Sequence, residues 1–191
     1  MSTTLLIATP WLAIGLGVIA VAVDHLTALY EAYLYHTVMK GSIDYVERYR
    51  LTPEVQAALT QRRWFGPRLL VICVVLALAI GAAWWVCVQQ LARPDVFVLL
   101  MGGLVLAPTA DTLRQYQQIM VFREVRRRGG LQGRVTVARQ LSFMQTVYSL
   151  YSYVIVYLVL FVFTGSWFVL GGALATFVNS RRLRDWVVIK T

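Results

Sequence analysis

Apolar runs long enough to cross a lipid bilayer dominate this sequence, and three of them reach a polar residue near their end. The segments and their polar residues are 10–26 with Asp24, 95–113 with Asp111, and 167–183 with Asn179. An ionisable residue inside a membrane span is costly, and by default it indicates function. The alternative is that the three residues only mark helix ends at the interface, because a short span can be completed by tilting or by local bilayer thinning.

The composition places the chain among integral membrane proteins. Hydrophobic residues make up 59% of the sequence and the mean hydropathy is +0.64, far above the range of soluble domains. A run such as Leu69 to Val88 is long enough to cross about 30 Å of hydrocarbon as a helix. No Pro-rich or Ser-rich linker divides the 191 residues, so we expect one domain, 1–191.

The hydropathy pattern predicts an all-α bundle of about five transmembrane helices, the third and fifth being short. The predicted spans are 10–30, 69–90, 96–112, 143–164 and 166–179. Two connecting segments, 40–68 and 114–139, carry most of the charge. Glycines such as Gly102, Gly103 and Gly171 occur at helix-like spacing and favour close contact between helices.

The distribution of basic residues predicts the orientation of the bundle. Of the 18 lysine and arginine residues, only Arg93 falls in a connection on the side of the N-terminus. The positive-inside rule therefore puts the N-terminus outside and the C-terminus in the cytoplasm. The net charge of +9 then belongs to one membrane face, which suits anionic lipid better than nucleic acid. We expect the plasma (inner) membrane of a prokaryote.

Both connecting segments are predicted to contain amphipathic cytoplasmic helices. Thr52-Pro53-Glu54 is a helix-start signal in the first segment, and the second should continue as helix to about Arg128 and turn at Gly129-Gly130. The basic residues of this face suit anionic lipid headgroups or an acidic partner protein. They are Arg123, Arg126, Arg127, Arg128, Arg134, Arg139, Arg181 and Arg182.

The polar residues within the spans are the candidate substrate-binding residues. Asp24, Asp111 and Asn179 are expected to converge on a pocket that opens to the cytoplasm, and Arg114 lies one helical turn from Asp111. The fourth span starts with several amide and hydroxyl side chains, which could hydrogen-bond a substrate or neighbouring helices. The full candidate set is Asp24, His25, Glu31, Asp111, Arg114, Tyr148, Ser152 and Asn179.

Metal, cofactor and catalytic signatures are missing from the sequence. The only histidines, His25 and His36, would lie about 16 Å apart along one helix and cannot share a metal ion. No zinc or di-iron pattern, Walker loop or nucleophile elbow occurs, so no metal and no cofactor is expected. A lipid-modifying enzyme could still use His25 or Glu31 as a general base, with Arg114 or Arg123 holding phosphate.

Three functions are compatible with the sequence. The acidic polar positions favour a transport or channel-like protein for a cation or proton, oligomeric because five helices make a thin wall around a pathway. Small size without catalytic motifs favours an accessory or assembly subunit of a larger membrane complex. The third candidate is the lipid-modifying enzyme, although the missing motifs argue against catalysis.

Overall fold

Six α-helices and one pair of short strands make up the described part of the chain. The computed structural model describes residues 3–39, 43–45, 66–129, 135–137 and 139–189. The helices are α1 (Thr3–Ala8), α2 (Pro10–Leu34), α3 (Pro67–Trp84), α4 (Pro94–Arg127), α5 (Arg139–Thr164) and α6 (Trp167–Ile189). α2 and α3 continue as single π-helical stretches, Tyr35–Met39 and Trp85–Gln90, and the strands are β1 (Ile43–Tyr45) and β2 (Val135–Val137).

Proline and glycine residues set several of the helix ends. Pro10, Pro67 and Pro94 stand in the first turn of α2, α3 and α4, where a missing N–H removes no intrahelical hydrogen bond. After α4 and α5 the backbone turns at Gly129 and Gly165, with φ of +83° and +61°. Glycine adopts this left-handed conformation without the steric cost that other residues meet.

The chain is a helical membrane protein. Four helices are long and apolar enough to cross a membrane: Pro10–Val38, Leu69–Gln90, Pro94–Arg127 and Met144–Thr164. These helices correspond to the first four predicted spans. The fifth predicted span, 166–179, lies in α6, which is a single helix as far as Ile189 but is not among these four.

The long helices pack side by side in the order α3, α2, α4, α6, α5. α2 and α4 run in the same direction, since Gly17 lies near Met101 and Asp24 contacts Gln115 further along both helices. α4 and α6 are parallel too, because Gly102 lies against Phe168 and Asp111 contacts Asn179. α3 runs the opposite way along α2, with Trp84 Nε1 donating to the carbonyl of Ile7 at 2.9 Å. Three parallel helices therefore form the middle of the bundle, and α4 is central among them.

Glycines bring the backbones of α4 and α6 into direct contact. A Cβ atom placed on Gly102 would overlap the carbonyl oxygen of Phe168, and one on Gly171 would overlap the carbonyl oxygen of Leu99. The predicted role of these glycines in close helix contact is confirmed here. Gly15, in contrast, has no other group within 4 Å of its Cβ position.

Three apolar clusters stabilise the bundle at different heights. The first includes Phe97 and Met101 of α4 with Ile80 of α3, near the start of α2. At mid-height, Ala110 packs with side chains of α5 and α6. Beyond the polar residues, Leu34, Tyr35, Ile119 and Phe122 join the far ends of α2 and α4. The two helices thus stay packed well past Asp24 and Asp111.

A parallel strand pair connects the two charged segments, and the sequence analysis did not anticipate it. Ile43, Asp44 and Tyr45 of β1 pair in register with Val135, Thr136 and Val137 of β2. Strands of three residues are too short to show the alternation by which strands are recognised in sequence. The pair places Ile43–Tyr45 and Val135–Val137 at one end of the bundle, where α4 ends in Arg126 and Arg127. We term this the arginine-rich end.

The remaining predictions for these segments have mixed outcomes. Helix α4 continues to Arg127 and the chain turns at Arg128 and Gly129, as predicted. Gly130 lies outside the described residues, and so does the helix predicted to begin at Thr52-Pro53-Glu54.

Candidate functional site

Asp24 of α2 is held by side chains of the neighbouring helix α4. The Gln115 Nε2 atom donates a hydrogen bond of 3.1 Å to Asp24 Oδ1. Because Asp24 stands in an otherwise apolar stretch of α2, this donor takes over a hydrogen bond that water would otherwise make.

Asp111 of α4 is held from two directions. The Asn179 Nδ2 atom of α6 donates a hydrogen bond of 3.1 Å to Asp111 Oδ2. Arg114 lies on the same helix, and its Nε atom is 3.8 Å from Asp111 Oδ1. Only 14% of the Arg114 side chain and 22% of the Asp111 side chain are exposed. The pair is therefore shielded from water within the bundle.

Helical spacing on α4 explains why these residues meet. Positions 111, 114 and 115 are separated by three and four residues, so their side chains emerge from one side of the helix. Gln115 reaches α2 and Asp111 reaches α6. α4 thus links the polar residues of its two parallel neighbours. We refer to Asp24, Asp111, Arg114, Gln115 and Asn179 together as the polar layer.

The charges of the polar layer do not balance. Asp24 interacts electrostatically with both Asp111 and Arg114. Two carboxylates thus share one guanidinium. When all three groups are ionised, their net charge is negative by one unit. Two further ionisable side chains of α2 lie nearby in sequence, the half-buried His25 and the buried Glu31, and both have interaction partners in the chain.

A cleft of about 220 Å³ opens next to the polar layer, between α4 and α5. Arg114 forms its inner boundary, and most of the other lining residues carry an amide or a hydroxyl group. They are Gln117, Gln118, Val121, Phe122, Gln145, Thr146 and Ser149. The lining extends from the polar layer toward the arginine-rich end.

Several buried polar atoms at this site lack a hydrogen-bond partner within the described part of the chain. They include Nε and Nη1 of Arg114 and Oε1 of Gln115. The 3.8 Å separation between Arg114 and Asp111 is an ion pair but too long for a hydrogen bond. Buried polar groups without partners are uncommon in native proteins, and they concentrate here around one arginine.

Two predicted binding residues, Tyr148 and Ser152, do not line the cleft. Tyr148 points away from the bundle, with 63% of its surface exposed. The Ser152 hydroxyl donates to the backbone carbonyl of Tyr148 at 3.1 Å, so its hydrogen bond lies within α5. The neighbouring Thr146 and Ser149 line the cleft instead. Which hydroxyls face inward depends on the rotation of α5, and the sequence does not reveal that rotation.

Sequence reasoning also missed the amides of α4. Gln115 contacts Asp24, and Gln117 and Gln118 line the cleft. The available signal was their spacing from Asp111 on a helix that the sequence predicted correctly. Gln115 follows Asp111 at the distance that places two side chains on one helical face.

The basic residues lie mainly at the arginine-rich end. Arg123 donates to the hydroxyl of Tyr30 at 3.1 Å, and its guanidinium lies 5.6 Å from the centre of the Tyr30 ring. Arg127 and Arg128 pair with Glu124, while Arg126 is exposed. Arg181 and Arg182 are exposed on α6, Arg139 begins α5, and Arg134 lies outside the described residues.

Arg93 is the exception, at the opposite end of the bundle. It donates two hydrogen bonds of 3.2 Å to Asp95. These bonds, together with the charge of Asp95, raise the pKa of the Arg93 guanidinium above its usual value. The single cation at this end is thus neutralised by its neighbour.

Comparison with known proteins leaves the function to be argued from geometry. No protein-family model, characterised protein or solved structure matches the chain. Within the described residues, no cluster of three or more histidine, cysteine or acidic side chains could hold a metal ion.

Proposed function

We propose that the protein is a small transport or channel-like membrane protein whose polar layer binds a proton or another small cation. The carboxylates of Asp24 and Asp111 are the binding groups in this proposal. Gln115 and Asn179 orient them, and Arg114 supplies part of the compensating charge. The cleft beside Arg114 connects the layer with the arginine-rich end.

The charge imbalance of the layer is the observation that carries this proposal. An uncompensated charge within an apolar bundle is expensive, and the cost falls when a proton or cation joins the layer. Asp24 and Asp111 lie close enough to interact with each other and with Arg114. One added positive charge makes the group neutral, so the layer attracts one cation at a time.

The proposal extends to the assembly of the protein. α2, α4 and α6 carry the layer and have α3 and α5 as their only large neighbours in the described part of the chain. A single row of helices does not enclose a pathway on both sides. We therefore propose a homo-oligomer in which copies face one another across the polar layer.

The arginine-rich end is cytoplasmic in this proposal. Its support is the distribution of the 18 basic residues, of which only Arg93 belongs to the other end. Exposed arginines such as Arg126, Arg181 and Arg182 then lie near the headgroups of the inner leaflet, where each attracts anionic lipid by about 1 kcal/mol.

Ion flux into liposomes tests the transport function. The purified protein is reconstituted with a pH-sensitive dye inside the vesicles, and proton entry is driven by a potassium gradient with valinomycin. Sodium and potassium dyes replace the pH dye in parallel runs without valinomycin. We expect the wild type to conduct one of these ions and both Asp24→Asn and Asp111→Asn to abolish its flux, because an amide has neither the negative charge nor the proton-accepting group of a carboxylate.

A matched control is available on the same helix. Asp95→Asn removes a carboxylate of α4 that pairs with Arg93 far from the polar layer. Flux through this variant should equal that of the wild type. Equal flux through all variants, with intact folding, would contradict the proposal.

The mass of the gently extracted particle distinguishes transport from the accessory-subunit role. A homogeneous homo-oligomer agrees with a self-contained transport protein. Co-purification with larger unrelated subunits, together with absent flux, would favour a subunit whose function depends on those partners.

A further inference from the structure

The cleft beside Arg114 has the chemistry of an anion-binding site. Its volume of about 220 Å³ corresponds to about seven water molecules at about 30 Å³ each, which is enough for a phosphate-sized group. Amide and hydroxyl side chains of Gln117, Gln145 and Ser149 line it together with the guanidinium of Arg114. Such groups hydrogen-bond oxygen atoms of a ligand, and the arginine favours a negative charge on them.

Arg114 has hydrogen-bonding capacity that the polar layer does not use. Its Nε and Nη1 atoms have no hydrogen-bond partner within the described part of the chain. Both are shielded from the cleft that Arg114 lines, so a change of side-chain rotamer must turn them toward a ligand there. The carboxylate of Asp111, at 3.8 Å, contributes charge but no hydrogen bond. A guanidinium presents its N–H groups in a planar fork that matches two oxygens of a phosphate or carboxylate.

The depth of the cleft suits a headgroup or a small anion. About 20 helical residues cross the hydrocarbon, so a span of α4 that begins at Val96 ends near Tyr116. The cleft lining runs from Arg114 to Phe122 along α4, across this boundary. Arg123, the first arginine of the arginine-rich end on α4, directly follows the last lining residue, Phe122. Both a lipid phosphate and an anion from the aqueous phase can reach this depth.

We propose that the cleft binds an anionic oxygen group, a phosphate or a carboxylate, through the guanidinium of Arg114. Val121 and Phe122 provide the apolar part of the lining, and the amide N–H and hydroxyl groups donate the remaining hydrogen bonds to the anion. Asp111 opposes this binding, because its negative charge lies next to the same guanidinium. The inference concerns the anion only, so it does not depend on ion flux through the polar layer.

Two probes test the site and identify the source of the anion. In nanodiscs of phosphatidylcholine, binding of inorganic phosphate is followed by ³¹P line broadening. In mixed phosphatidylcholine and phosphatidylglycerol, the lipid retained by the extracted protein is counted by native mass spectrometry. We expect at least one probe to bind the wild type, and Arg114→Gln to weaken that binding about tenfold or more.

Arg114→Lys and Arg126→Gln serve as controls. The lysine variant keeps the charge next to Asp111 and should fold, but it loses the planar fork and should bind the anion more weakly than wild type. Arg126→Gln removes an exposed arginine of the same helix that does not line the cleft, so binding should be unchanged. Phosphate binding in phosphatidylcholine identifies a free anion, and selective retention of phosphatidylglycerol identifies a lipid headgroup.

Asp111→Asn should strengthen anion binding, whereas the Arg114 variants should weaken it. It removes the competing negative charge while keeping a side chain of the same shape, so phosphate or phosphatidylglycerol should bind several-fold more tightly. The same variant is expected to lose ion flux, which separates the two proposals. Absence of binding to both probes, or equal binding by the wild type, Arg114→Gln and Arg114→Lys, would overturn the anion site.

Discussion

Asp111 is the residue at which the opposite charges of the site meet. Asn179 holds one of its carboxylate oxygens from α6, and Arg114 lies near the other. Asp24, on the neighbouring helix α2, is oriented by Gln115. Each carboxylate thus has one amide donor from a neighbouring helix. This arrangement keeps ionisable groups in place without fully neutralising them.

The two amide donors should contribute measurably to stability. Gln115→Leu or Asn179→Leu leaves a partly buried carboxylate without its donor, which should cost about 1 kcal/mol in the free energy of unfolding. Unfolding in mixed micelles with increasing denaturing detergent measures this loss. Gln117→Leu, an exposed position one turn away from the layer, is the control and should be nearly neutral. A loss equal to that of the control would show that the amides do not support the carboxylates.

Individual site residues differ in how well the sequence predicts them. Asp24, Asp111, Arg114 and Asn179 were recognisable because hydrocarbon disfavours such side chains. Amides and hydroxyls near the end of a span are far less unusual. Whether Ser149 or Ser152 faces the cleft depends on the rotation of α5 against α4 and α6, which only tertiary packing determines.

Helices α4 and α6 pack with their backbones in direct contact. Gly102 and Gly171 let the two backbones touch where any side chain would overlap a carbonyl oxygen. Between lipid-exposed helices no hydrophobic effect draws the surfaces together, so small residues at the contact are what permits tight packing. The same contact sets the distance between Asp111 and Asn179 further along the two helices.

Substitution at these glycines should separate the helices. Gly102→Ala or Gly171→Ala puts a methyl group against backbone atoms that cannot move independently, so we expect a loss of at least about 2 kcal/mol in the free energy of unfolding. Gly15→Ala, where nothing lies within 4 Å, should be neutral or slightly stabilising. Thermal unfolding followed by circular dichroism compares the three variants. Similar melting temperatures for all of them would contradict the close packing.

At the level of elements, the sequence predicts helices better than their ends. Apolar runs identified α2, α3, α4 and α5 as membrane-spanning helices. The fifth predicted span stopped at 179, whereas α6 continues to Ile189, because a helix need not end where its apolar part ends. The neighbours of each helix were not predictable, since hydropathy carries no information about which apolar faces pack together.

For the whole molecule, the orientation across the membrane is the property that most directly affects the proposed function. It decides whether the cleft opens to the cytoplasm or to the outside. β1 and β2, one from each charged segment, pair at one end. The loop of Leu91 and Arg93, between α3 and α4, lies at the other end.

Chemical labelling can assign the two ends. In a background of Cys73→Ala and Cys87→Ala, a single cysteine is introduced as Leu91→Cys or Arg126→Cys, both at exposed positions. An impermeant maleimide applied to intact cells should label the first variant and should label the second only after permeabilisation. The positive-inside rule gives this expectation. The reverse pattern would place the arginine-rich end outside the cell.

The strand pair also imposes an order on biosynthesis. About 90 residues separate β1 from β2, so at about 5–20 residues per second the ribosome delivers the second strand roughly 5–18 s after the first. α3 and α4 are synthesised during that interval, so β1 has no partner strand until both helices have left the ribosome. The pair can therefore close only when α3 and α4 bring β2 back to the end of the bundle at which β1 lies.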